Sequence, residues 1–265
     1  MNKKKINFVL AIGIILTAFF VTIAIVSVFY TPCDPYDMSF KEKFLEPSGK
    51  HLMGTDNFGR DIFSRVMVAV KNSLVISGSA ILISFIIGTF VGSITGYYGG
   101  IIDEILMRIN DALASIPSIL TAMVFVALMD KSQKTLIIAL IVAFIPSFAR
   151  VSRSQVIALK NRDFVKSAKL SGASNFRIIF KHILPNGKSA LVTGLSVGFN
   201  NAILAEASLS FLGLGIQPPD PSIGSLLSEA QMYVATAPYY VVFPAIVMVL
   251  MVVGVVMIGE GYGKN

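Results

Sequence analysis

Long apolar runs separated by short polar stretches set the frame of this chain. Runs at residues 6–30, 73–97, 112–128, 135–149, 189–212 and 239–258 are each predicted as a membrane-spanning helix. About 20 apolar residues cover the roughly 30 Å hydrocarbon core of a bilayer. The run at 135–149 is the shortest, roughly 22 Å as a helix, and can borrow Val151. Gly88, Gly92 and Gly96 recur at four-residue spacing in the second run, as do Gly194 and Gly198 in the fifth. Small residues so spaced let helix backbones approach closely. The reading divides the chain into residues 1–72, a first span plus an outer segment, and residues 73–265, a five-helix core with a polar loop at 150–188.

The polar stretches fix the orientation. Between the fourth and fifth runs lie Arg150, Arg153, Lys160, Arg162, Lys166, Lys169, Arg177, Lys181 and Lys188, opposed only by Asp163. Each would cost about 2.5–3.5 kcal/mol at the bilayer centre, so the loop belongs in water, and the positive-inside rule places it in the cytoplasm. Lys3, Lys4 and Lys5 place the N-terminus on the same side, and an even number of crossings brings the C-terminus there too. The loop before the third run says less, since Arg108 sits among Asp103, Glu104 and Asp111. Two outer segments follow. Residues 31–72 contain an amphipathic stretch from Asp61, with Ile62, Phe63, Val66, Met67 and Val70 on one helical face, and residues 213–238 contain Pro218, Pro219, Asp220 and Pro221.

Composition agrees with a membrane protein. Of 265 residues, 54% are apolar and 14% charged, against about 25% charged in soluble domains, and the mean hydropathy is +0.75. The net charge of +7 reports topology rather than affinity for nucleic acid. Tryptophan is absent, and the 8 tyrosines fall near span ends or in loops, where a phenol prefers the headgroup level. Cys33 is the single cysteine, so neither an internal disulfide nor a cysteine-based metal site is expected. The residues before it, Tyr30, Thr31 and Pro32, do not suit a small-residue processing site, and the first run reads as a retained helix.

The stretch "DFVKSAKLSGASNFRIIFKHILPNGKS" at residues 163–189 carries the candidate chemistry. Its Gly-Lys-Ser ending is not a phosphate loop, because His182 stands where that motif needs glycine. No aromatic interleaving supports nucleic-acid binding. A helix over residues 162–170, a turn at Gly172 and a second helical run with Phe176, Ile179, Phe180 and Ile183 at helical spacing are predicted instead. Such a pair can dock into a partner's groove, with Phe164, Val165, Ser167 and Ala168 available as a contact face, or can be an ordinary solvated loop. Glu206 is the lone acid within a predicted span. With Asn200 and Asn201 it is a candidate pore or gate element, the alternative being a packing hydrogen bond. His51 and His182 are read as isolated from other ligands, so no metal site and no cofactor are expected. Asp56, Arg60 and Asp61 are expected to cap or pair within the outer segment.

The same stretch resembles the cytoplasmic coupling motif E-A-A-x-x-x-G-x9-I-x-L-P of binding-protein-dependent ABC importer permeases. Gly172, Leu184, Pro185 and Ala168 match it, whereas Lys166 stands for the glutamate, Ser167 for the first alanine and His182 for the isoleucine. "GTDNFGRDIFSR" (54–65), "DEILMRINDALASIPS" (103–118) and "EASLSFLGLGIQPPDPSIGSLLSEA" (206–230) are similar to stretches of the dipeptide/oligopeptide/nickel permease subfamily, specifically its second permease subunit. The ending "IGEGYGKN" is shorter than the subfamily's, with Lys264 as its basic residue. The resemblance implies an all-α, six-span type I importer permease in a bacterial or archaeal plasma membrane. It implies a second homologous permease, two cytoplasmic ATPase subunits, an extracytoplasmic solute-binding protein and surrounding lipid as partners, with no hydrolysis on this chain. Phe164, Lys166, Ser167, Ala168, Gly172, Leu184 and Pro185 would meet the ATPase, and Lys166 predicts an acidic or neutral residue opposite. Asp56, Arg60 and Asp61 could instead touch the binding protein. Short peptides are the expected cargo. Nickel or a metal chelate is the alternative within the subfamily, and a secondary carrier or channel the alternative outside it.

Overall fold

In a computed structural model, residues 8–263 are described. Lys3, Lys4, Lys5 and Lys264, which entered the reading above, lie outside them. The described residues form helices and contain no β-strand. α1 (Phe8–Phe29), α2 (Ile62–Tyr98), α3 (Gly100–Ala114), α4 (Ser118–Leu128) and α5 (Gln133–Leu159) come first. Four short pieces follow: α6 (Asp163–Leu170), α7 (Asn175–Arg177), a π-helical turn (Ile178–Ile183) and α8 (Leu184–Asn186). The remaining helices are α9 (Lys188–Phe211), α10 (Ile223–Ala230) and α11 (Pro238–Gly263).

Three expectations about spans are corrected. The second span begins at Ile62, not residue 73, so the boundary set at 72/73 falls inside a continuous helix of 37 residues. Asp61 caps it, its Oδ2 accepting from the Ser64 amide at 2.7 Å. The amphipathic stretch is its first turns, where Ile62, Ala69 and Val70 are buried against Ile223, Leu226 and Tyr240. The third span is not one straight helix: α3 and α4 meet at 81°. Pro117 sits at the break, and a proline disfavours helical backbone in the residue before it. The fourth span runs to Leu159, 27 residues in all, with Arg150 and Arg153 in its last turns rather than in a loop starting at 150. Those guanidiniums are neutralised from α3, Arg153 pairing with Asp103 at 2.6 Å and Arg150 with Asp111 at 3.2 Å.

Six spans were expected. Among the described residues, four helices, α1, α2, α5 and α11, are long and apolar enough to cross a membrane, and the bent pair α3–α4 makes a fifth if it counts as one span. The remaining expected span is α9, 24 residues long, whose Asn200, Asn201 and Glu206 make it more polar. Phe8, Ile15 and Phe29 of α1 are among the most exposed apolar side chains, as a lipid-facing helix requires.

Two apolar clusters hold the bundle. One joins α2, α4, α5 and α9 through residues such as Ile81, Val126, Leu140 and Leu209. The other joins α1, α2, α9, α10 and α11 through Phe20, Ile203, Leu226 and Tyr240. α2 and α5 approach most closely at the glycine ladder: a Cβ on Gly92 would lie 2.1 Å from the Ala149 carbonyl oxygen, and one on Gly88 2.7 Å from that of Ile145. Hydroxyls bind the same seam, with Ser93 and Ser152 at 2.9 Å and Ser84 donating to the Ile141 carbonyl at 3.1 Å. A Cβ on Gly198 would lie 2.5 Å from the Phe148 ring, whereas one on Gly194 would have ordinary clearance from Val151. Gly92→Val is therefore expected to force α2 and α5 apart and destabilise the bundle by about 1–3 kcal/mol. Unfolding in detergent checks this, and wild-type stability would contradict the seam.

Candidate functional site

The basic stretch folds into a small platform between α5 and α9. α6 ends where Gly172 adopts φ 78°, a conformation that costs other L-residues about 1–2 kcal/mol. The Ala173 amide donates to the Ala168 carbonyl at 3.1 Å and the Gly172 amide to that of Lys169 at 3.0 Å, the paired bonds of a Schellman ending. The chain then turns back through α7, where Ser174 Oγ caps the Arg177 amide at 3.4 Å. The π-helical turn and α8 lead into α9.

A third apolar cluster fixes this platform. Val165 of α6 is fully buried with Val156 of α5 and with Ile178 and Ile183 of the π-helical turn. Ala168, Ala173, Leu184 and Tyr97 pack around them. Val165 and Ala168, expected on a docking face, are thus turned inward. Phe164 and Ser167 remain exposed, as do Gly172 and Pro185. Leu170, which sequence reasoning passed over, is 90% exposed, and Phe176 66%. Lys166 reaches Asp163 at 3.0 Å, an exposed pair, and Lys169 lies 5.3 Å from the Tyr97 ring centre. The platform is a packed base carrying an apolar tip in a basic surround.

Beside it, a cavity of about 740 Å³ opens between α5 and α9. Ser147, Val151 and Gln155 line one wall, Thr193, Val197 and Asn201 the other, and Asn186 and Gly187 of the platform close one end. Among the described residues its lining carries amides, hydroxyls and apolar groups, and no ionisable side chain. Asn201 and Glu206, paired as candidates from sequence, are separated here. Glu206 is fully buried away from this cavity, accepting from the Ser210 hydroxyl at 2.7 Å, with Ser73 and Ser222 nearby. Among the described residues, its Oε2 and the Asn200 Oδ1 have no hydrogen-bond partner.

The outer segment is held by a charge cluster. Asp56, fully buried, accepts from Arg60 Nε at 2.6 Å. Glu229 of α10 accepts from Arg60 Nη2 at 2.8 Å, Arg65 Nη2 at 3.3 Å and the Tyr240 hydroxyl at 3.1 Å. Asp56, Arg60 and Asp61 pair and cap as expected. Arg65 and Glu229 were missed, although both lie inside the quoted motifs. Tyr36 donates to Asp220 at 2.7 Å and links the two outer segments; burial, then that carboxylate, pushes its phenol up to about 12. One expectation fails here. His51 is not isolated: Cys33, His51 and Asp61 bring their ligand atoms within 4.8 Å of one another.

Comparison with known proteins agrees with this architecture. Residues 88–261 match the family model of the binding-protein-dependent transport system inner membrane component. The dipeptide transport system permease protein DppC of Alkalihalophilus pseudofirmus is 39% identical over 260 residues, 98% of this chain and 86% of that protein. The glutathione transport system permease protein GsiD of Pectobacterium atrosepticum is 40% identical over 215 residues, 81% of this chain and 71% of that one. An inward-facing structure of the MetNI methionine ABC transporter superposes with a TM-score of 0.63 at 18% identity, over 76% of this chain and 95% of that one, a likeness of fold.

Proposed function

The chain belongs to the family of binding-protein-dependent transport system inner membrane components, and from that premise we propose that it forms one half of the path through which an ATP-driven importer carries short peptides. It is an all-α, multi-pass membrane permease of the ABC importer type. In this reading separate ATPase subunits grip α6 from the cytoplasm, and this chain hydrolyses nothing. A second permease covers the open side of the α5–α9 cavity, and a solute-binding protein delivers cargo to the outer segments.

The observation that carries the reading is the continuity of the platform with the cavity walls. Val165 packs on Val156 of α5, and Ile183 on the approach to α9 shares the same cluster. A displacement of α6 is therefore passed to both helices that line the cavity, whose end is the platform itself. Close-packed interiors transmit such shifts rather than absorb them, and two arrangements of the helices can then be selected by ATP. The basic residues of the platform support its placement in the cytoplasm.

Peptide cargo is supported by the relatives named for dipeptides and glutathione and by the cavity's chemistry. Gln155, Thr193 and Asn201 offer donors and acceptors matching a peptide backbone. Among the described residues, a nickel path finds no thiol, imidazole or carboxylate in that lining, and such ligands are what a transition metal requires. The test is uptake into proteoliposomes of a labelled dipeptide by the chain with its second permease, ATPases and binding protein. Uptake should require ATP and every component. Transport by the chain alone would overturn the reading.

A further inference from the structure

We propose that Cys33, His51 and Glu42, backed by Asp61, form a binding site for a divalent transition-metal ion of the zinc type in the segment between α1 and α2. His51 is 4% exposed. Its Nδ1 lies 3.0 Å from Asp61 Oδ1, and its Nε2 is buried without a hydrogen-bond partner among the described residues. If Nδ1–H donates to Asp61, Nε2 presents a lone pair to nothing. If both nitrogens are protonated, Nε2–H faces Glu42 Oε2 at 4.0 Å, too far for a hydrogen bond. An orphaned buried polar atom costs about 1–3 kcal/mol and needs a reason.

A metal ion supplies one. An imidazole that donates through one nitrogen to a carboxylate and offers the other is the arrangement metal-ligating histidines adopt. Glu42 has one oxygen held by Lys50 Nζ at 2.5 Å, which leaves Oε2 turned to His51. The thiol of Cys33 completes a sulfur, nitrogen and oxygen donor set. Such a set suits zinc, with bonds of about 2.0–2.3 Å, and not magnesium or calcium, which take oxygen ligands. The ligand atoms of Cys33, His51 and Asp61 lie within 4.8 Å of one another, Glu42 Oε2 lies 4.0 Å from His51 Nε2, and small rotations of partly buried Glu42 and Cys33 close the site. The adjoining cavity of about 120 Å³ also carries Asp34 and Asp37, so a water or a further carboxylate can fill the remaining position. None of these residues lines the α5–α9 cavity. The ion would fasten the segment after α1, the 3₁₀ turn Phe40–Glu42 and the cap of α2 into one block.

Full-length protein in detergent, free of any affinity tag, reduced and stripped with chelator, is titrated with Zn²⁺ against a chromophoric chelator and separately with Co²⁺. One ion per chain and a thiolate-to-cobalt charge-transfer band are expected. Cys33→Ser should abolish the band. His51→Asn, which can keep the bond to Asp61, and Glu42→Gln on the surface should each weaken zinc at least about 10-fold, and Asp61→Asn about 10–100-fold. Binding no tighter than chelator background, or a band and affinity unchanged in Cys33→Ser and His51→Asn, would overturn the proposal. Because no transport is measured, either result leaves the peptide reading standing.

Discussion

Replacing Asp56 with alanine is expected to destabilise the protein by about 3–5 kcal/mol, because it leaves buried positive charge without its partner. The Asp56 carboxylate is fully buried. Its Oδ1 accepts from the amides of Phe58 at 2.8 Å and Arg60 at 3.0 Å, and its Oδ2 from Arg60 Nε at 2.6 Å. Arg65 is 1% exposed, and its Nε lies 3.6 Å from the same oxygen with no hydrogen bond of its own among the described residues. Two guanidiniums thus balance two carboxylates, those of Asp56 and Glu229, and removing one leaves an uncompensated charge at the head of α2. Asp56→Asn keeps an acceptor for the two amides and should fall between alanine and wild type. Glu229→Gln should cost less, since its side chain is 28% exposed and water can take over part of its role. The double variant Asp56→Ala/Arg60→Met should recover part of the loss, because it removes the excess cation along with its anion and leaves Arg65 to Glu229. Unfolding in detergent reads all four. An Asp56→Ala protein within about 1 kcal/mol of wild type would show that water already screens the cluster.

The same cluster explains which parts of the fold were legible. α1, α9 and α11 appeared in the sequence within a few residues of their ends: lipid or apolar neighbours surround α1 and α11, which hydropathy reads directly, and the apolar stretches flanking Asn200, Asn201 and Glu206 mark α9. α2 and α5 were cut short at their charged ends. Arg65 and Arg153 look like residues that must leave the membrane, and only partners elsewhere in the chain keep them in helices. Glu229, which meets Arg65 across 164 residues, cannot be assigned to it from spacing. The break before α4 was legible in Pro117 but was outweighed by the apolar run around it. At the platform, the Gly172 turn and the helix before it were readable. The facing of α6 was not, since both Val165 and Leu170 are apolar and only the base beneath decides which is covered. The grouping of Cys33, His51 and Asp61 is of the same kind, made by a folded loop and matching no sequence motif.

That facing yields the sharpest prediction for the proposed coupling. Leu170→Asp is expected to weaken association with the ATPase subunit by about 30-fold or more, the roughly 2 kcal/mol of an interface hot spot, while leaving the fold intact. Leu170 is 90% exposed, and surface substitutions away from packing features change stability by only about ±0.5 kcal/mol. A large apolar side chain held out on a rigid basic platform is poorly suited to water, and burying it in a groove returns roughly 1.5–3 kcal/mol. Aspartate forfeits that gain and adds a carboxylate to desolvate. Val165→Asp, by contrast, places the charge in the base, where Val165 is fully buried with Val156 and Ile183. It should loosen the platform itself and raise amide hydrogen exchange in α6. The two variants separate docking from folding: Leu170→Asp should keep wild-type exchange and lose peptide-stimulated ATP hydrolysis, whereas Val165→Asp should lose both. Titration of the ATPase onto nanodisc-embedded permease measures the first effect. Wild-type affinity for Leu170→Asp would place the ATPase contact away from α6, and the transmission from α6 through Val165 to α5 and α9 would then have no driver.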